Sequence, residues 1–120
     1  MFFSEGEHVE IIRGLIRATQ GDRLKWYIND SDIGEYGAST SKFTYYVRSR
    51  DFDDARPYIF QIWARREQDN KLISELDENS STQSTQSIIG ELYFAAKSSE
   101  LGIKDLKKEI FSDLGLDFGE

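Results

Sequence analysis

The sequence predicts an α+β domain: an N-terminal helix, a four-stranded antiparallel meander, then two C-terminal helices packed with the first mainly on one sheet face. Three observations predict it. Apolar residues recur at helical spacing before residue 21 and again after residue 88. Between these stretches apolar and polar residues alternate with a period of two. The connections between the later alternating stretches are short and polar, which suits antiparallel neighbours rather than crossovers.

Each element has its own signal. Ser4 followed by Glu7 has the spacing of a capping box, and Val9, Ile12 and Ile16, widened by Ile11 and Leu15, form the first helical stripe. Gly21 is placed to end that helix in a left-handed C′ conformation. Leu24, Trp26 and Ile28 then alternate with Lys25, Tyr27 and Asn29 as a first strand. "DSDIGEYGASTS", residues 30–41, is rich in Asp, Gly and Ser and reads as a loop. "KFTYYVRSR" is a second strand, and Pro57 stands at the entry to a third, "YIFQIWAR", where proline is tolerated. "KLISEL" is the fourth. Residues 77–87, "DENSSTQSTQS", are a polar low-complexity segment that buries too little to offset its ordering, and read as a mobile loop. Ile89, Leu92, Tyr93 and Ala96 form a helical stripe with Ser87 as N-cap; Gly102 interrupts. Ile103, Leu106, Ile110 and Leu114 form the last stripe, closed by Gly115.

A chain of 120 residues, 38% hydrophobic and 13% aromatic, has enough apolar side chains for one core, so residues 1–120 read as one domain. No apolar run is long enough to span a bilayer, so no membrane association is expected. The first residues lack the pattern of a secretory signal. The absence of cysteine removes disulfides, thiolate nucleophiles and cysteine-ligated metals, and suits a reducing, cytoplasmic setting. The formal charge is −7; residues 1–50 are balanced, and residues 51–120 carry the whole excess. Such a chain is repelled on average by nucleic-acid phosphate and suits a protein partner.

The motifs that carry chemistry are missing or incomplete. His8 has no second histidine or cysteine with which to bind a metal, and no evident orienting group. "DFDD" clusters Asp51, Asp53 and Asp54 but lacks the glycine and distal glutamate of a calcium loop, and reads as a solvated turn. "GEYG" lacks the Gly-Lys-Ser/Thr ending of a phosphate loop, and no nucleophile elbow is present. No cofactor, metal or catalytic residue is therefore assigned. A carboxylate-based enzyme site stands as the alternative, since sequence does not show which acids meet across a cleft.

The remaining signal lies in strand parity. An inner face of Leu24, Trp26, Ile28, Phe43, Tyr45, Val47, Phe60, Ile62, Leu72 and Leu76 sends Lys25, Tyr27, Thr44, Tyr46, Arg48, Ile59, Gln61, Trp63, Arg65, Ile73 and Glu75 to the other side. That second face is too aromatic for solvent. Tyrosine, tryptophan and arginine are the residues enriched in binding hot spots, so Tyr27, Tyr46, Arg48, Ile59, Trp63 and Arg65 are the candidate partner-binding residues. Two other readings stay open: a second core layer covered by the C-terminal helices, and a single-strand nucleic-acid platform, which the charge disfavours.

"GLIRATQGDRLKW", Gly14 to Trp26, resembles the helix-to-strand junction of small bacterial and phage-borne proteins of unknown function. Leu15, Ile16, Ala18, Thr19, Gly21, Leu24 and Trp26 carry the likeness. The resemblance implies a helix–sheet–helix module of prokaryotic or phage type, a provenance associated with small acidic immunity proteins, antitoxins and inhibitors. The expectation is a non-catalytic, cytoplasmic protein-binding module, acting on another protein or as a homodimer through its aromatic sheet face.

Overall fold

In the computed structural model, which describes residues 3–116, Ser4 and Glu7 cap the first helix reciprocally. The Glu7 amide donates to the Ser4 hydroxyl at 3.1 Å and the Ser4 amide to the Glu7 carboxylate at 2.9 Å. This helix, α1, spans Glu5–Gln20. It does not end on a left-handed glycine: Gly21 keeps φ at −86°, and Asp22 takes the left-handed turn at φ +59°. The turn comes one residue late because the amides of Arg23 and Leu24 both donate to the Ala18 carbonyl.

Five strands follow: β1 (Tyr27–Asp30), β2 (Glu35–Ser39), β3 (Phe43–Ser49), β4 (Tyr58–Arg65) and β5 (Asn70–Leu76). They form one antiparallel sheet in chain order, and the C-terminal helices are α2 (Gln83–Leu101) and α3 (Ile103–Asp113). The α+β class and the antiparallel meander are as expected, but the sheet has five strands rather than four. The extra strand, β2, is the segment read as a loop. Its Gly37 is a packing requirement: a Cβ there would stand 2.8 Å from the Tyr27 ring, which lies across it from β1.

Helices α1 and α2 pack against one another, and α2 crosses β1 to β4 on one sheet face. Between them lie Ile12, Val47, Phe60, Leu76, Ile89 and Leu92, all fully buried. Trp26 is sealed beneath the helices, its indole N–H donating to the Thr19 hydroxyl at 2.9 Å, which donates in turn to the Leu15 carbonyl at 2.7 Å. Three inner-face assignments and one outer-face assignment need correction. Ile28 on the edge strand and Phe43 at the start of β3 lie past the helical cover and are exposed. In β5, Ser74 faces Ile62 while Leu72 faces Trp63, so Ile73 is an extra residue in a bulge. The bulge reverses parity: Leu72 goes outward and Ile73 packs against the core. The third helix is corrected too, since no residue of α3 is buried.

The polar segment before α2 also differs from expectation. The N-cap is Thr82 rather than Ser87, and residues 83–87 are helical. The Glu5 carboxylate, from α1, accepts from the Thr82 amide at 3.0 Å and hydroxyl at 2.7 Å, joining two helix starts. Asp77 accepts from the amides of Asn79 and Ser80. Side chains that look like linker composition thus supply the caps themselves. Gln86 does more. Its amide oxygen accepts from the Tyr58 N–H at 2.7 Å and its nitrogen donates to the Tyr58 carbonyl at 3.0 Å. It continues the ladder on β4 where β5 has run out.

Gln86→Ala should therefore cost about 1–3 kcal/mol, by leaving both buried Tyr58 backbone groups unpaired. Denaturant unfolding beside the exposed Gln83→Ala, expected within about 0.5 kcal/mol of wild type, checks this. Equal midpoints for the two variants would contradict it.

Candidate functional site

The sheet face opposite the helices is built by three lines of residues running across the strands. The central line pairs Tyr27 with Gly37, Gly37 with Tyr46, Tyr46 with Gln61 and Gln61 with Glu75, and so crosses all five strands. On one side of it Ser39, Thr44, Trp63 and Leu72 form a second line. On the other side Arg48 pairs with Ile59, with Glu35 beyond it. Alternation makes this face the necessary complement of the core: Val47, Phe60 and Ile62 point inward, so their neighbours Tyr46, Gln61 and Trp63 point outward.

At the centre, Tyr46 and Trp63 meet edge to face, ring centroids 6.4 Å apart and planes at 82°. Such pairs contribute about 0.5–1.5 kcal/mol beyond their burial. Tyr27 is 41% exposed and closes one end of the cluster across Gly37; Leu72, 43% exposed, closes the other. Burial, and then the Tyr27 hydroxyl alongside, hold the Tyr46 phenol above its ordinary pKa range. The Tyr46 phenol is therefore neutral at physiological pH.

The polar atoms of the face are already engaged. The Trp63 indole N–H donates to Gln61 at 3.0 Å, and the Gln61 amide nitrogen donates to Glu75 at 2.5 Å. Thr44 bonds Ser39 at 3.0 Å. Arg48 stands 3.9 Å from Glu35 and stacks on Phe52 at 5.7 Å. Arg65 donates to the Thr40 carbonyl at 2.8 Å. What the face offers outward is therefore ring and aliphatic surface, rimmed by charges that are already partnered.

Of the six residues singled out from the sequence, Tyr27, Tyr46 and Trp63 are brought into one cluster. Ile59 and Arg48 flank it, and Arg65 lies at the far end of β4 beside the β2–β3 turn. The sequence reading missed two contributors. Leu72 was hidden by the bulge, which has no signature in "KLISEL". Gly37 was hidden by its loop-like neighbours, although its glycine is what lets the Tyr27 ring lie flat on the sheet. Among the described residues no helix covers this face.

The other candidates for chemistry are absorbed by structure. Asp51 pairs with Arg50 at 3.0 Å. Asp53 accepts from the Ser49 hydroxyl at 2.9 Å and the Ala55 amide at 3.2 Å. Asp54 accepts from the Tyr93 hydroxyl and from Lys97 at 2.8 Å, anchoring the β3–β4 loop to α2. Among the described residues no three His, Asp or Glu side chains are grouped so as to hold a metal. His8 is wholly buried. Its Nδ1 lies 3.0 Å from the Ser4 carbonyl, which can only accept, so Nδ1 carries the proton and Nε2 accepts from the Ser74 hydroxyl at 2.7 Å. Comparison with known proteins finds no matching family model, no matching curated protein and no matching solved structure.

Desolvation lowers the His8 pKa, against weaker support from the Ser4 carbonyl and Glu7. The unfolded chain therefore takes up this proton first, near pH 6.5. Stability should fall as the pH drops from about 6.5 through the lower folded-state value, then level off with respect to this group. Melting temperature between pH 8 and 5 should decline more steeply for wild type than for His8→Gln. Parallel curves would contradict this assignment.

Proposed function

We propose that this chain is a non-catalytic, cytoplasmic protein-binding module, of the acidic inhibitor or immunity type, whose contact surface is the outer sheet face around Tyr27, Tyr46, Ile59 and Trp63, with Arg48 and Arg65 at its rim. One observation carries the reading: an uncovered aromatic cluster whose polar atoms are bonded among themselves. A face of that kind favours a partner that brings apolar area and asks for few new hydrogen bonds. Another protein surface does so.

The same geometry speaks against single-stranded nucleic acid. Stacking platforms need ring faces open to successive bases, and Tyr46 and Trp63 stand at 82° to one another. The arginines that would meet phosphates are occupied, Arg48 with Glu35 and Arg65 with a carbonyl. The formal charge of −7 adds repulsion at long range. A carboxylate-based enzyme site is disfavoured in the same way, because the clustered aspartates are spent on the β3–β4 loop.

The double variant Tyr46→Ala, Trp63→Ala tests the proposal. Both side chains lie outside the helix-covered core, so circular dichroism should remain near native. Retention of the partner recovered from the source cells should fall at least tenfold, the effect of losing hot-spot residues worth about 2 kcal/mol or more. Equal retention by wild type and variant would overturn the reading. So would unfolding of the variant, which would make the outer cluster part of the structural core.

A further inference from the structure

We infer that the protein segment covering the outer sheet face carries carboxylates to one side of its apolar centre, seated at the end of the sheet where the β2–β3 and β4–β5 turns lie. This rests on the proposed contact surface and names the chemistry of its occupant. The meander order of antiparallel strands puts those two turns at one end of the sheet. The β1–β2 turn, the β3–β4 loop and the exit from β5 lie at the other. Contacts join the members of each group: the Arg65 amide donates to the Lys42 carbonyl at 2.8 Å, and Arg50 pairs with Glu78. Charge divides the same way. Residues 30–35, 50–57 and 77–78 hold eight acids and two bases, whereas residues 40–42 and 65–71 hold four bases and two acids.

Availability differs between the ends as well. At the acidic end the bases are spent, Arg50 on Asp51 and Glu78, and Arg56 on Ser87. At the basic end Arg65 is held by the Thr40 carbonyl. The side chains of Lys42, Arg66 and Lys71, however, make no hydrogen bond or ion pair among the described residues, and all three residues are exposed. They surround the end of β4, with Lys42 beside Arg65, Lys71 opposite Ala64, and Arg66 just past the strand. Thr44 and Trp63 of the outer face stand two residues from Lys42 and three from Arg66, about 7–10 Å at the rise of a strand. A segment with an apolar centre over Trp63 and an acidic flank at that distance is attracted at one end and repelled at the other, so it docks in one direction. A long polyanion laid along the strands would run on from this end to the acidic one, which makes nucleic acid the poorer fit.

Two synthetic peptides with the same Leu-Phe-Leu centre, one flanked by three glutamates and one by three serines, test the inference when titrated into the protein and followed by amide and indole NMR signals. At low salt the glutamate peptide should bind about fivefold tighter, moving the amides of Lys42, Arg66 and Lys71 together with the Trp63 indole. Its advantage should vanish near about 0.5 M salt. Lys42→Glu with Lys71→Glu removes no side-chain bond, so the fold should persist while the advantage is lost. Equal affinity of the two peptides, with the Trp63 indole still responding, overturns the acidic flank and leaves the contact surface standing. A response at the turns without one at Trp63 contradicts the contact surface itself, and silence at both overturns the inference. Tighter binding of hexathymidylate than of the glutamate peptide overturns the choice of a protein carboxylate.

Discussion

Side chains on a strand must alternate between the two sides of the sheet, and that constraint ties the interior of this protein to its outer surface. Phe60 and Ile62 on β4 and Val47 on β3 fill the space beneath α1 and α2. Slipping β4 by one residue would turn two of them outward and forfeit roughly 1.5–3 kcal/mol for each. With the core fixed in this way, Gln61, Trp63 and Tyr46 have no choice of side. The aromatic face follows from the same register that builds the core, so a change that loosens one disturbs the other.

Helix α2 holds that register from above. Its Gly90 lets the helix approach β4 so closely that a Cβ would lie 2.8 Å from the buried Tyr58 ring. Gln86 takes over both backbone hydrogen bonds of Tyr58 one turn earlier. Tyr93 and Lys97 grip Asp54, the last residue of the β3–β4 loop to take a left-handed turn, at φ +58°. The beginning of β4 is thereby clamped on three sides. Trp63 of the outer cluster stands on this clamped strand, and a binding surface loses least entropy on association when its support is already ordered.

Much of this was legible in the residues. The capping pair Ser4 and Glu7, the opposite placing of Trp26 and Trp63, and the break at Gly102 each follow from local chemistry that a sequence displays. What escaped depends on contacts between distant segments. Gly37 looks like loop until the Tyr27 ring is seen lying on it. Leu72 and Ile73 exchange sides because of a bulge set by pairing with β4, not by their own pattern. Gln86 and Thr82 sit in a stretch whose composition suggests a linker, and their roles appear only when β4 and Glu5 come within reach. The stripe on α3 was visible as amphipathic spacing, but amphipathic spacing does not say what it packs on, and no residue of α3 is buried among the described residues.

One asymmetry underlies the proposed contact surface: the Trp26 indole is closed in beneath the helices, and the Trp63 indole lies on the opposite sheet face. Acrylamide quenching of the two single-tryptophan proteins, Trp63→Phe and Trp26→Phe, measures it directly. Trp26, alone, should emit to the blue and resist quenching. Trp63, alone, should quench readily in the free protein and become protected when partner is added. Equal protection of both indoles in the free protein would contradict the account, as would a Trp63 signal that a bound partner leaves unchanged.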